Sequence, residues 1–283
     1  MICLSRREYR GSSPYTDEEL RTINHGSEEE RAKFLQEQGV LIALFVDGII
    51  QTLSLPKAGG LTVVGWSMGN VFTLALRACI SDLPADTQER LKSYSRSFIV
   101  WGTILPPLLI SQTNPEHLSY FIVDPPVTAL GFPWNFDQPQ ISQEVLLATF
   151  AKRITTHFKH VDLESKDPSK LDQIGDPSKK PTSETMTPEE LSSTLDFTPC
   201  FKCDIPLLVP TFSLAVSNQM IKALLDSKVR EDWGGVLVWY ICGDSNPAIV
   251  QTSPWLLEGK IKSEGINTNI NFKLIKDANH LVR

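Results

Sequence analysis

The sequence is poor in the features that staple or anchor a chain. Its five cysteines, Cys3, Cys79, Cys200, Cys203 and Cys242, are odd in number and scattered through 283 residues, which excludes a disulfide framework. Only Cys200 and Cys203 stand at a ligand-like spacing. A zinc site would need a second pair, and the nearest candidates, His157 and His160, lie about 40 residues away, so no metal is expected. Long apolar runs are also lacking: 40–50 is broken by Asp47, and 98–110 by Gly102, Pro106 and Pro107. Neither reaches the roughly 18 residues of a spanning helix, and no membrane span is expected. Met1 to Leu4 runs directly into Ser5, Arg6 and Arg7 without a long apolar stretch, so no secretory signal is read and a cytoplasmic location is expected. The 27 basic residues are dispersed among 33 acidic ones, for a net charge of -6, and form no stripe for a phosphate backbone. Nucleic acid is not an expected partner.

What is present is the composition of a soluble globular protein, 41% hydrophobic and 21% charged, long enough to bury a core without staples. A turn at Lys57-Ala-Gly-Gly leads into a short apolar, β-branched run at 60–64 that reads as a buried strand. Residues 70–80 carry Val71, Leu74, Ala75 and Ala78 at helical spacing. Strands are also expected at 120–123, 236–242 and 269–275, the last with Ile270, Phe272 and Leu274 alternating with polar residues. Thr16-Asp-Glu-Glu opens an acidic helix, and 28–53 reads as one or two helices with Ile42, Leu44, Phe45 and Ile49 on the apolar side. Strands alternating with helices imply an α/β fold with a mostly parallel sheet. From 125 to about 210 the pattern changes. A helix near 143–160 precedes a stretch at 165–190 dense in Lys, Asp, Ser and Pro, which reads as an inserted lid.

Gly65-Trp66-Ser67-Met68-Gly69 stands between the expected strand and the expected helix. A Gly-x-Ser-x-Gly corner of this kind holds its serine in a strained backbone conformation, with glycines letting strand and helix approach closely. Ser67 is therefore the candidate nucleophile, and the Met68 N-H, at a helix N-terminus, the candidate oxyanion donor. A serine needs a histidine base. His280 follows the strand 271–275 through Lys276-Asp-Ala-Asn, at a strand's carboxyl end, whereas His25, His157 and His160 read as surface histidines and His117 sits in a loop. The orienting acid is open between Asp244, after the strand 236–242, and Asp124, after the strand 120–123.

Gly65-Trp-Ser-Met-Gly-Asn, a downstream acid after a strand, and Ala278-Asn-His280 together resemble the α/β-hydrolase family, whose serine, acid, histidine order this is. Arg6-Arg-Glu-Tyr-Arg-Gly-Ser-Ser-Pro is similar to the loop after that family's fourth strand. The chain resembles uncharacterised fungal members, and its corner is similar to that of biotin-pathway carboxylesterases. The resemblance implies an α/β-hydrolase core at 1–124 and 211–283 with a lid at 125–210. It also implies a Ser-His-Asp hydrolase needing no cofactor, acting on an ester, thioester or amide of a small, partly hydrophobic molecule. At the family's common acid position stands Asn246, which makes Asp124 a rival to Asp244.

Measured against the family, the first three strands, the His-Gly oxyanion loop and the last helix are missing, and the fourth strand is expected near Met1. The expected consequence is a chain truncated at both ends, whose sheet starts near Met1 and leaves an edge or an apolar face uncovered. The alternative function is a non-catalytic protein lacking a complete oxyanion hole. Residues 101–119 read as an insertion, flanked by two Phe-Ile-Val tripeptides at Phe98 and Phe121, with no evident place in the sheet for a strand at 97–100.

Overall fold

Two reciprocal caps start the chain's first helices. Thr16 Oγ1 accepts from Glu19 N while the Glu19 carboxylate accepts from Thr16 N, opening α1 (Asp17–His25). Ser27 and Glu30 repeat the arrangement at α2 (Glu28–Thr52). The computed structural model describes residues 1–102, 143–208 and 210–281. Along it follow β1 (Leu61–Trp66), α3 (Gly69–Ala78), α4 (Ala85–Tyr94), β2 (Ser95–Trp101), α5 (Gln143–Thr155) and α6 (Pro188–Thr194). The remaining elements are α7 (Pro210–Leu225), α8 (Ser227–Asp232), β3 (Leu237–Gly243), α9 (Ala248–Ser263) and β4 (Ile270–Ile275).

The four strands make one sheet in the order β1-β2-β3-β4, every neighbouring pair parallel. A parallel ladder needs crossovers, which supply α3 and α7, and α2, which precedes β1, packs on both of them. One face of the sheet holds the core: Phe98, Val100, Val238 and Tyr240 are buried under the helices. Arg77 of α3 lies fully inside, its guanidinium 5.1 Å from the centre of the Phe98 ring and its Nε donating to Ala223 O at 2.8 Å. The α/β class, with a parallel sheet flanked by helices, is as expected from the alternation of patterns.

The opposite face is open. Val64 is 52% exposed, Trp66 46%, Leu237 44% and Trp239 37%. The register sets Val64, Ile99 and Trp239 side by side, with Trp66, Trp101 and Ile241 in the next row towards the strands' carboxyl ends.

Three expectations are corrected. No strand forms near Met1; among the described residues the sheet begins at Leu61. The segment 97–100 does have a place, in β2 between β1 and β3, and Trp101 ends that strand rather than opening an insertion. In α2, Leu44 and Phe45 face outwards and Phe34, Leu35, Ala43 and Ile50 are buried, because the helix turns its small Gly39 and Ala43 side towards α3. A Cβ on Gly39 would come within 2.4 Å of Ala75 O, so the closest approach selects that side. By length and composition alone α2 could cross a membrane, a test that buried core helices also pass. It opens with three glutamates, buries Asp47 against Arg90, and packs on α3 and α7. The strand expected at 120–123 lies outside the described residues, as does His117.

Candidate active site

The corner is built as its residue types require. Ser67 has φ +51°, a left-handed backbone that side-chain-bearing residues seldom adopt and hold only when their surroundings impose it. Those surroundings are explicit: Ser67 N donates to Trp101 O at 2.9 Å, and Asn70 Nδ2 donates to both Ser67 O (2.9 Å) and Trp101 O (3.0 Å). The fully buried Asn70 amide thus ties the corner of β1 to the end of β2. A Cβ on Gly65 would meet Asn70 Oδ1 at 2.4 Å and Thr73 Oγ1 at 2.7 Å, so glycine alone lets α3 pack this close. Gly69 has open space where its Cβ would be, which corrects the expectation that both glycines serve close approach. Met68 caps α3 in helical geometry. It offers its backbone N-H at the helix start, where partial positive charge accumulates.

His280 follows β4 through a loop lashed from several sides. Ser245 N donates to Ala278 O at 3.0 Å, and Trp66 Nε1 donates to His280 O at 3.0 Å. The Trp66 indole and the imidazole have ring centroids 5.2 Å apart. The histidine therefore lies against the residue immediately before Ser67. Gly102, just past β2 at φ +53°, lies at the ring's other side, and a Cβ there would stand 3.1 Å from Nδ1. Gly243 is needed in the same way at the end of β3, where a Cβ would fall 2.0 Å from Ala278 O.

The His280 ring is 2% exposed and Nδ1 has no hydrogen-bond partner among the described residues. Burial alone pushes its pKa down to about 4, so the ring is neutral near pH 7. The Asp244 backbone N-H donates to Ile275 O, and its Oδ1 accepts from Ser245 Oγ at 3.0 Å; it is not bonded to His280 Nδ1. Asp124 lies outside the described residues. Asn246 is buried, donating through Nδ2 to Gly243 O (2.8 Å) and Cys242 Sγ (3.2 Å), and so shapes the end of β3.

His160 corrects the expectation of a surface histidine. Its Nδ1 accepts from Asp172 N at 3.0 Å, which leaves Nε2-H to donate to Asn246 O at 2.8 Å. Burial lowers its pKa, in keeping with the neutral ring this pattern demands. His157 is partly buried too, while His25 is exposed in the last turn of α1. Cys200 and Cys203 lie on a π-helical turn, and Cys203 Sγ contacts Asp204. Asp204 itself holds Arg6 through two hydrogen bonds of 3.1 and 3.0 Å and accepts from Tyr9.

Sequence reasoning missed four residues of this site: Asn70, Gly102, Gly243 and Asn279. Asn70 directly follows the corner motif, and Gly243 ends an expected strand, so both left a trace. Gly102 and Asn279 acquire their neighbours only through tertiary contact.

No protein-family model matches the chain, and a search of curated proteins finds no relative. Among solved structures it is similar to one from work on carboxylesterases of Nitrososphaera gargenis (10% identity, TM-score 0.34, 85% of this chain and 64% of that one). It is also similar to a bromoperoxidase from Bacillus anthracis (15%, 0.38, 97% and 72%) and to epoxide hydrolase A from Mycobacterium thermoresistibile (13%, 0.37, 96% and 73%). The chain spans just under two thirds of the first of these. The described residues form a parallel α/β sheet with a left-handed serine between β1 and α3 and a histidine after β4, the arrangement that the α/β-hydrolase resemblance implies.

Proposed function

We propose that the chain is a serine hydrolase acting on an ester, thioester or amide of a small, partly hydrophobic molecule. The left-handed Ser67 at the strand-to-helix corner carries the reading, since a serine there lifts its hydroxyl out of the sheet beside free helix N-H groups. In the reaction Ser67 Oγ bonds to the acyl carbon as its proton passes to His280 Nε2, and the carbonyl oxygen becomes an oxyanion held by Met68 N-H. Collapse breaks the bond to the leaving group, which takes the proton from His280. Water then repeats the sequence on the acyl-enzyme and frees the acid and Ser67. Asp124 or Asp244 is the carboxylate proposed to orient the base. The lid is proposed for the segment of which 143–208 is described.

A second reading is a protein that keeps the corner without turnover. It is favoured by His280 Nδ1, which no carboxylate among the described residues reaches, because a base without an orienting carboxylate is poorly placed and weak. A fluorophosphonate probe separates the two, since it reports an activated serine whatever the substrate. The catalytic reading expects covalent labelling that Ser67→Ala abolishes and that His280→Gln slows by about a hundredfold or more. Labelling of the wild type no faster than of Ser67→Ala supports the second reading.

A further inference from the structure

We infer that Asn279 is the positioning residue of this site, joining the lid segment to the histidine; the inference rests on the hydrolase reading for its consequence but not for its geometry. Asn279 stands directly before His280 and is 1% exposed. Oδ1 accepts from Leu281 N at 3.0 Å, closing a turn whose middle residue is His280. Nδ2 donates to Thr155 O, at the end of α5, at 2.7 Å, and to Thr182 Oγ1 at 2.9 Å. Thr155 and Thr182 are themselves buried and joined through Ser183, whose N and Oγ both reach Thr155 Oγ1. One carboxamide therefore fixes the backbone on either side of the base and seats it on two stretches more than ninety residues upstream.

The arrangement answers a question that the ring leaves open. With Nδ1 unbonded among the described residues, no side-chain hydrogen bond sets the angle of the imidazole. Among the described residues what sets it is the backbone: Ala278 O and His280 O are held by Ser245 and Trp66, and Leu281 N, just past the base, by Asn279. The lid segment then acts on the base through Asn279, so disturbing Thr182 should disturb a residue it does not touch.

The test uses three variants of the whole chain and two readouts. Asn279→Ala removes the carboxamide; Thr182→Val removes one acceptor at nearly constant volume, and Thr182→Ser restores it. Nuclear magnetic resonance titration of the His280 ring reads its seating without any turnover, and the fluorophosphonate rate reads its competence. With the anchor lost, the ring gains water, and its midpoint should rise from near 4 by about one pH unit or more in Asn279→Ala. A smaller rise is expected in Thr182→Val and none in Thr182→Ser, with labelling at Ser67 falling about tenfold in Asn279→Ala. If Asn279→Ala does not fold, the Thr182 pair decides alone. Midpoints unmoved in folded Asn279→Ala, or equal in Thr182→Val and Thr182→Ser, overturn the inference. A midpoint that moves in a chain whose wild type is never labelled upholds Asn279 and removes the hydrolase reading.

Discussion

A neutral imidazole sealed inside a protein leaves a signature in the pH dependence of stability. His280 has a folded pKa of about 4 against an ordinary value of 6.5, so as pH falls the unfolded chain takes up the proton first. Stability is therefore unaffected above pH 6.5, declines between 6.5 and 4, and loses nothing further from this group below 4. The gap of about 2.5 pH units corresponds to a loss on the order of 3 kcal/mol. Carboxylates titrate in the same range, so the quantity to measure is the difference in unfolding free energy between wild type and His280→Gln. That difference should be level above pH 7 and move in favour of His280→Gln down to pH 4; a level difference throughout would mean that the ring is not sealed. The same depression gives the proposed labelling its profile, a plateau through neutrality with a fall only below about pH 5. At this scale the sequence was informative about where His280 stands, because the strand that it was expected to follow does form. It was silent about burial and about an Nδ1 without a partner among the described residues, since Gly102 and Trp66 reach the ring from 178 and 214 positions away.

Elements meet where glycine allows them to, and the two glycines of the corner motif make opposite predictions. Gly65 sits where a Cβ would collide with the buried Asn70 amide and Thr73, atoms of α3 that cannot yield without loosening the helix from β1. Gly65→Ala should cost roughly 1 to 3 kcal/mol in urea unfolding. Gly69 has room, begins α3 and lacks a left-handed φ, so Gly69→Ala should be neutral or stabilise by up to about 1 kcal/mol. Equal costs at the two positions would show that the corner is not packed this way. Strands and helices were legible wherever one period dominated: β4 shows alternation, α3 shows helical spacing, and the acidic caps of α1 and α2 stand in the sequence outright. Legibility failed for β2, because the repeated Phe-Ile-Val made a central strand look like an insertion. It failed for α2 because apolar residues run most of the way round that helix. Only the clearance at Gly39 decides which side goes in, and so leaves Leu44 and Phe45 outside.

At the scale of the molecule the sheet is asymmetric, with a helix-covered face that holds the core and a bare face that carries Val64, Leu237 and Trp239 in the open. Parallel sheets are ordinarily buried on both sides, and an apolar patch of adjoining rows is a surface that water covers poorly. Beside β1, whose outer edge is unpaired among the described residues, such a patch favours sticking to other apolar matter. The chain should therefore bind the dye ANS in its native state, without the loss of cooperative unfolding that marks a loosened core. The patch can be altered without touching the site if Trp66, bonded to His280, is left alone. Leu237→Lys with Trp239→Gln replaces side chains that are already 44% and 37% exposed, so the cost in stability should stay within about 1 kcal/mol. Native-state ANS fluorescence should fall severalfold in the double variant while Ser67 labelling is unchanged, because both positions lie on β3 in register rows before the one that holds Trp66. Fluorescence that persists in the double variant would place the dye elsewhere, with the outward Leu41, Leu44 and Phe45 of α2 as the next surface to substitute.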